Sequence, residues 1–333
     1  MKINMRPLHR LSAFALSALL PTFALPFAAQ PQAQARAQTS SDTTFSVPRN
    51  AVIDITLRTG RLFVRGTQQS TAELRANDQR YELRSTGVGV TLAARDDRGR
   101  DSDNRRSSRS SRDARSDRDG RLELAVPRGV RLVISAGSAD VEVQDIAGDV
   151  EVHSLSGDIS LRAIGGRAII ETLSGDVRLT DGAGDTRANT MSGDIILRGV
   201  RGTAHVHTTS GSVTLSMVRA AEVQVESTSG DLVFDGDPTD DARMQLTSHS
   251  GDITIRIPES ARGTMELATF SGEMRSNRPV TLTSGLIGNL SRSNRNERGT
   301  QRYEFGGGGP ARFTVTTFSG DIRFDRGTRR NPD

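Results

Sequence analysis

The chain has 333 residues, with 44 basic side chains, 40 acidic side chains and no cysteine. Without cysteine there can be no disulfide, thiol nucleophile or thiolate metal site. Four basic residues within positions 1–37 account for the whole net charge of +4, so the remainder is balanced and gives no bulk electrostatic support for a nucleic-acid partner.

The N-terminus has the three regions of a signal peptide. Basic residues precede an apolar run, and two small-x-small patterns follow it. In order, these are Lys2, Arg6 and Arg10; Leu11 to Ala29; and Ala33-Gln34-Ala35 with Ala35-Arg36-Ala37. We predict a signal peptide over residues 1–37, cleaved after Ala35 or Ala37; an uncleaved membrane anchor is the alternative. No later apolar run reaches the roughly 18 residues that span a bilayer. A mature protein in the periplasm or at the cell surface, without a transmembrane segment, is therefore expected.

Residues 41–94 alternate apolar and polar side chains without a strict repeat. Val52 to Leu57 alternates in this way, and Thr59 to Val64 resembles one unit of the later array. The period of two indicates strands. We predict an N-terminal β capping region over 41–94.

The next segment, 95–120, contains nine Arg, seven Asp and six Ser in 26 residues. It has no apolar pattern with which to form a core, so a disordered surface loop is expected. Binding of nucleic acid or phosphate by this loop is the alternative.

A repeat array follows over residues 121–326. Its signature is Ser-Gly-Asp or a close variant, and from Ala139 to Gly211 it recurs every 18 residues before the spacing loosens to 19, 21, 21 and finally 48. The copies begin at Ser138, Ser156, Ser174, Ser192, Ser210, Ser229, Ser250, Ser271 and Ser319. Glycines nine residues before each of the regular copies divide the unit into two turn-plus-strand halves.

Stacking the units aligns apolar residues into columns. The aligned sets are Val150, Ala168, Thr186, Ala204 and Val223; Val152, Ile170, Ala188, Val206 and Val225; Ile159, Val177, Ile195 and Val213; and Leu161, Leu179, Leu197 and Leu215. A further set, Leu155, Leu173 and Met191, is expected to form a buried corner column. Polar residues separate the columns, as in strands with one face inward.

Two short strands per 18 residues leave no room for a helix. We predict an all-β protein, a parallel β-solenoid with two-strand coils of about 18 residues, stacked at about 4.8 Å per coil. An antiparallel β-sandwich is the alternative. The repeated glycine fits a tight turn with positive φ.

Two groups of side chains are candidates for chemistry. Asp158, Asp176, Asp194, Asp231 and Asp252 should line one ridge, where they either shape turns or bind calcium. His205 and His207 should share an outward face, with His153 three coils away, too far to share a metal. We predict no catalytic, cofactor-binding or metal-ligating residue and no cofactor.

The S-G-D-φ-x-φ units, preceded by Val126-Pro127-Arg128-Gly129-Val130, resemble a widespread bacterial family of β-strand-repeat domains of unknown function that are often labelled adhesins. The resemblance covers roughly residues 45–325. It implies an all-β repeat fold, an envelope location and no established catalytic residues. The Arg/Asp/Ser segment departs from the family pattern.

These observations favour a non-catalytic exported envelope protein that acts as an adhesin or scaffold surface. Its expected partner is an envelope or surface component, either protein or glycan, and not a nucleic acid. A calcium- or glycan-binding module is the second hypothesis and a carbohydrate-active enzyme the third.

Overall fold

The computed structural model describes residues 36–38, 43–48, 50–77, 80–86, 89–95, 120–285 and 300–327. The described residues all belong to one compact unit, Gln34–Asp333. Nearly all of the predicted signal peptide and residues 96–119 of the Arg/Asp/Ser segment lie outside the described ranges, so both interpretations stay predictions. Within those ranges, no helix has the length and hydropathy to cross a membrane.

The regular structure consists of β-strands. They are β1 (Arg36–Gln38), β2 (Thr43–Ser46), β3 (Val52–Thr67), β4 (Thr71–Asn77), β5 (Arg80–Thr86), β6 (Gly89–Arg95), β7 (Arg121–Pro127), β8 (Arg131–Ile146), β9 (Val150–Ser156), β10 (Ile159–Ile164), β11 (Ala168–Ser174), β12 (Val177–Gly182), β13 (Thr186–Ser192), β14 (Ile195–Arg198), β15 (Ala204–Ser210), β16 (Val213–Val218), β17 (Glu222–Ser229), β18 (Leu232–Gly236), β19 (Arg243–Ser250), β20 (Ile253–Ile257), β21 (Gly263–Ser271), β22 (Met274–Ser276), β23 (Val280–Gly285), β24 (Gln301–Phe305), β25 (Ala311–Ser319) and β26 (Ile322–Arg326).

Successive coils pair in parallel, with equivalent residues side by side. Ile159 lies beside Val177, and Val177 lies beside Ile195. The strands that precede the S-G-D turns also pair in parallel with one another. In these strands Val152 and Ala188 flank Ile170. The predicted parallel β-solenoid is therefore confirmed. The sandwich alternative is set aside because it would require antiparallel pairing throughout the array.

The predicted apolar columns form one continuous core. Leu161, Leu179, Leu197 and Leu215 are buried, as are the residues two positions before them. Alternation along each strand points the intervening side chains outward. Burying a leucine stabilises the fold by roughly 1.5–3 kcal/mol relative to leaving it exposed, and the stack repeats this contribution in every coil.

The corner column was predicted wrongly. Leu155, Leu173 and Met191 are exposed, because the residue before each of them takes the inward position. That inward residue is Ser or Thr, and its hydroxyl is bonded at the turn: Thr172 Oγ1 donates to the carbonyl of Ser174 at 3.2 Å. The repeat is thus a five-residue motif, Ser/Thr-x-Ser-Gly-Asp, with the hydroxyl inside and the central x outside.

The order of coils in the stack differs from the order in the chain at both ends. The β3 coil lies between the coil of β6 and β7 and the coil of β8. At the other end, β25 and β26 insert between the β19–β20 coil and the β21–β22 coil. The gap of 48 residues before the last S-G-D motif includes β22 and the strands β23 and β24.

Antiparallel strands cover the two ends of the stack. Strands β4 and β5 pair with β7 and β6 at one end, and the β23–β24 hairpin pairs with β21 at the other. Beside this hairpin the buried Arg278 lies over the rings of Phe305 and Phe324 and donates to the carbonyls of Ile257 and Glu259. Burial lowers the pKa of Arg278. The hairpin covers the edge of β21, which could otherwise pair with a strand of another molecule.

Candidate functional site

The aspartates of the S-G-D motif line one ridge, as predicted, and bond to the backbone of the adjacent coil. Asp158 Oδ1 accepts the backbone N–H of Asp176 at 3.1 Å, and Asp176 Oδ1 accepts that of Asp194 at 3.1 Å. The ridge extends from Asp140 to Glu273, whose backbone N–H donates to Asp321. Each carboxylate therefore links its own turn to the next turn in the stack.

The second corner of the coil repeats the arrangement. Asp149 Oδ1 accepts the backbone N–H of Arg167 at 2.9 Å, and Asp185 Oδ1 accepts that of Thr203 at 3.1 Å. Hydrogen bonds from the side chain and backbone of Thr203 lower the pKa of Asp185. Acidic side chains at both corners thus bind backbone donors that face water.

Arginines occupy the outer oxygens at several points of the S-G-D ridge. Arg178 donates to Asp176 Oδ2 at 2.8 Å, and Arg323 lies 3.1 Å from Asp252 Oδ2. Among the described residues, no group of three or more acidic or histidine side chains is placed to hold a metal ion. The observed contacts support the turn-shaping interpretation of the aspartates over the calcium alternative.

Removing one ridge carboxylate should weaken the stack modestly. We expect Asp176→Ala to lower the free energy of unfolding by about 1 kcal/mol, as for loss of a helix N-cap, because the N–H of Asp194 loses its acceptor. Urea denaturation measures the change. Asp235→Ala is the matched control, since this outward carboxylate forms no hydrogen bond or ion pair with the other described residues. A calcium-specific rise in the wild-type midpoint, abolished by Asp176→Ala, would contradict this role.

His153, His205 and His207 lie on the outer face of the strands that precede the S-G-D turns. His153 contacts Glu151 at 2.9 Å and Glu171 at 3.1 Å, and its hydrogen bond, aided by Arg131, lowers the pKa of Glu151. His207 occupies the same column three coils away, 3.6 Å from Glu226. The predicted separation of His153 from His207 is confirmed, and both of these histidines have a carboxylate neighbour.

The exposed column at the S-G-D corner is the most distinctive surface feature. We call it the corner ladder; in stack order it comprises Leu155, Leu173, Met191, Thr209, Thr228, His249, Phe318 and Phe270. Its large apolar members are between 48% and 65% exposed. Seven coil steps of about 4.8 Å separate its ends, a distance of about 34 Å.

The last three members of the ladder form an aromatic stack. The rings of His249 and Phe318 are 5.0 Å apart and nearly parallel, and those of Phe318 and Phe270 are 4.8 Å apart. The spacing equals the coil step, so the parallel strand register itself holds the rings face to face. Since β21 is the outermost parallel coil, Phe270 ends the stack.

An open groove of about 630 Å³ lies beside the aromatic stack. One wall carries the stacked rings, and the other carries Thr247 and Thr316 together with His207 and Glu226. The strand backbone between these outward columns forms the floor. Sequence reasoning missed the groove because its walls come from coils that are not consecutive in the chain. The recurrence of a large residue at the x position of the motif was the available signal.

The family comparison agrees with the architecture. The family model described as Toastrack DUF4097 matches residues 33–325. A proposed cell adhesion protein of Clostridium sporogenes aligns over 86% of this chain and all of its own, at 9% identity and a TM-score of 0.23. A proposed adhesin of Bacteroides fragilis aligns over 87% of this chain and 98% of its own, at 10% identity and a TM-score of 0.39. A search of curated proteins finds no match.

Proposed function

The chain belongs to the Toastrack DUF4097 family, and we propose that it is an exported, non-catalytic envelope protein whose corner ladder adheres to a surface partner. One observation carries this proposal. Nine large hydrophobic residues are exposed among the described residues, and five of them fall in the corner ladder. Scattered exposed apolar residues are ordinary, whereas neighbours in one column mark a contact surface, and two such groups occur here: Leu155, Leu173 and Met191, and Phe318 with Phe270.

The ladder is suited to contact because the fold holds it rigidly. Each residue of the corner ladder lies between the inward Ser/Thr and the turn serine of its motif, and parallel pairing fixes the spacing between coils. A preorganised surface loses little conformational entropy when it binds, so it needs fewer contacts for a given affinity. The predicted signal peptide supports an envelope address for such a surface.

The carboxylates support a role without catalysis. A glycan-cleaving enzyme needs two carboxyl groups that converge on one bond. Here the ridge aspartates are spaced along the stack and engaged with backbone N–H groups and arginines. Their contacts are those of turn-linking residues.

Adhesion can be tested with an immobilised envelope fraction from the producing bacterium. We expect the exported protein to begin at Arg36 or Gln38 by intact-mass measurement, and to be retained on the fraction in biolayer interferometry. The variant Leu155→Ser/Leu173→Ser/Met191→Ser should bind at least about tenfold more weakly, since three apolar contacts are lost.

The matched control replaces exposed apolar residues outside the ladder, in the variant Ile196→Ser/Met217→Ser/Leu282→Ser. It should bind as the wild type does. Equal loss in both variants, or no retention of the wild type, would refute the ladder as the adhesive surface.

A further inference from the structure

We infer that the groove beside His249, Phe318 and Phe270 binds a neutral or amine-bearing oligosaccharide, with the outer face of Phe270 as the stacking platform. This inference rests on the proposed adhesive function and names the chemistry of one partner. It concerns the end of the corner ladder where aromatic side chains replace the aliphatic ones.

The aromatic wall ends in the outer ring face of Phe270. Within the stack, neighbouring rings at 4.8 and 5.0 Å cover the faces of Phe318. Among the described residues, Phe270 lies on the outermost parallel coil, and β24 pairs with β21 from Gly263 to Leu267, short of Phe270. Its ring is 65% exposed. Aromatic faces carry partial negative charge, and the C–H groups of a pyranose ring pack against such faces.

The opposite wall supplies hydrogen-bonding groups. The side chains of Thr247 and Thr316 point outward from adjacent coils and follow each other along the groove. His207 and Glu226 continue this wall and lie 3.6 Å apart. Hydroxyl and imidazole groups can donate and accept, and the carboxylate accepts, so this wall can meet both roles of a sugar hydroxyl. An apolar ring face opposed by a few polar groups is the usual composition of a small-ligand site.

The size of the groove fits a short sugar chain along the stack. It spans five neighbouring strands, β15, β17, β19, β25 and β21, or four coil steps of about 4.8 Å. A volume of about 630 Å³ lies within the usual range of ligand sites, roughly 300–1,000 Å³. Because the coil step is close to the width of a pyranose ring, successive sugars meet equivalent backbone positions.

Charge determines the class of glycan. None of the described residues that line the groove is an arginine, and Glu226 is its acidic member. Among the described lining residues, a polyanion such as a nucleic acid, an acidic polysaccharide or an anionic lipid surface would meet no lysine or arginine. A neutral sugar is accepted, and an amino sugar gains attraction to Glu226. A protein partner of ordinary affinity needs about 800 Å² on each side, well beyond this narrow groove.

Calorimetric titration with defined tetrasaccharides tests the inference on the mature chain. The probes are cellotetraose, the N-acetylglucosamine tetramer, its de-N-acetylated form and the anionic tetragalacturonate. We expect binding of at least one of the first three and none of tetragalacturonate. Phe270→Ala should weaken binding by about tenfold or more, because one aromatic face is lost. Phe270→Trp should preserve it.

Ile196→Ala is the matched control, because it truncates an exposed apolar side chain outside the ladder and away from the groove. It should bind the tetrasaccharide as the wild type does, and all three variants should melt like the wild type. Equal binding by Phe270→Ala, preference for tetragalacturonate, or no binding of any probe overturns the inference. Retention on the envelope fraction that tetrasaccharides do not compete away would overturn it while leaving adhesion intact. Tetrasaccharide binding without retention would refute only the adhesive function.

Discussion

Leu179→Asp is expected to abolish the cooperative thermal transition of the coil stack. Leu179 has no solvent-exposed surface and lies between Leu161 and Leu197 in the continuous core. A carboxylate at this position would meet apolar side chains from both adjacent coils and no cationic partner. Burying an unpaired charge costs several kcal/mol, comparable with the 5–15 kcal/mol that stabilises a typical domain.

Far-UV circular dichroism during heating measures this effect. The matched control is Ile196→Asp, which also places aspartate on a strand of the array but at an outward position beside Arg178. We expect the control to melt within a few degrees of the wild type, since surface substitutions are usually within about 0.5 kcal/mol. A Leu179→Asp protein that melts like the control would contradict a core that runs through every coil.

The regular part of the fold could be predicted because the sequence repeats wherever the environment repeats. The position of Leu179 is enclosed in the same way as those of Leu161 and Leu197, so the same residue type recurs at a spacing of 18. Turn geometry adds the recurring glycine. Together these constraints indicate both the strands and their parallel register before any coordinates are known.

The same regularity conceals the order of the terminal coils. Ile322 pairs with Ile253 on one side and Met274 on the other, and any coil of the array presents a similar apolar partner. No local pattern distinguishes a coil inserted within the stack from one added at its end. The position of β25 and β26 in the stack could therefore not be predicted from the repeat. The groove shares this origin, since Phe318 stacks between His249 and Phe270 only because of that insertion.

The second corner shows another limit of sequence reasoning. Ala163 and Met217 adopt left-handed conformations, with φ of 53° and 56°, at equivalent positions of different coils. Such conformations are uncommon for residues other than glycine, asparagine and aspartate. An alanine or a methionine in the sequence therefore does not predict one. The stack imposes the turn, and the hydrogen bonds between coils offset the strain.

Gly193→Ala is expected to destabilise the array strongly, although it adds a single methyl group. Gly193 has φ of +134°, a region that residues with a Cβ rarely adopt. A Cβ there would lie 2.2 Å from the carbonyl oxygen of Gly175, a backbone atom that cannot rotate away. The N–H of Gly193 donates to Ser210 at 3.0 Å and that of Gly175 to Ser192 at 3.1 Å, so relieving the clash would stretch the bonds between coils.

We expect Gly193→Ala to lower the free energy of unfolding by about 3–5 kcal/mol, combining left-handed strain with a steric clash against the backbone. Urea denaturation measures the change, with Ser192→Ala as the control, because that exposed side chain is outside the clash. Ala139 shows that a residue with a Cβ can occupy the equivalent position in another coil. It occupies the equivalent position in β8 without a positive φ, where the strand runs through the corner unbroken. A Gly193→Ala protein as stable as its control would mean that an inner coil can adopt the conformation of Ala139, and the glycine would then not be required by the packing of the turns.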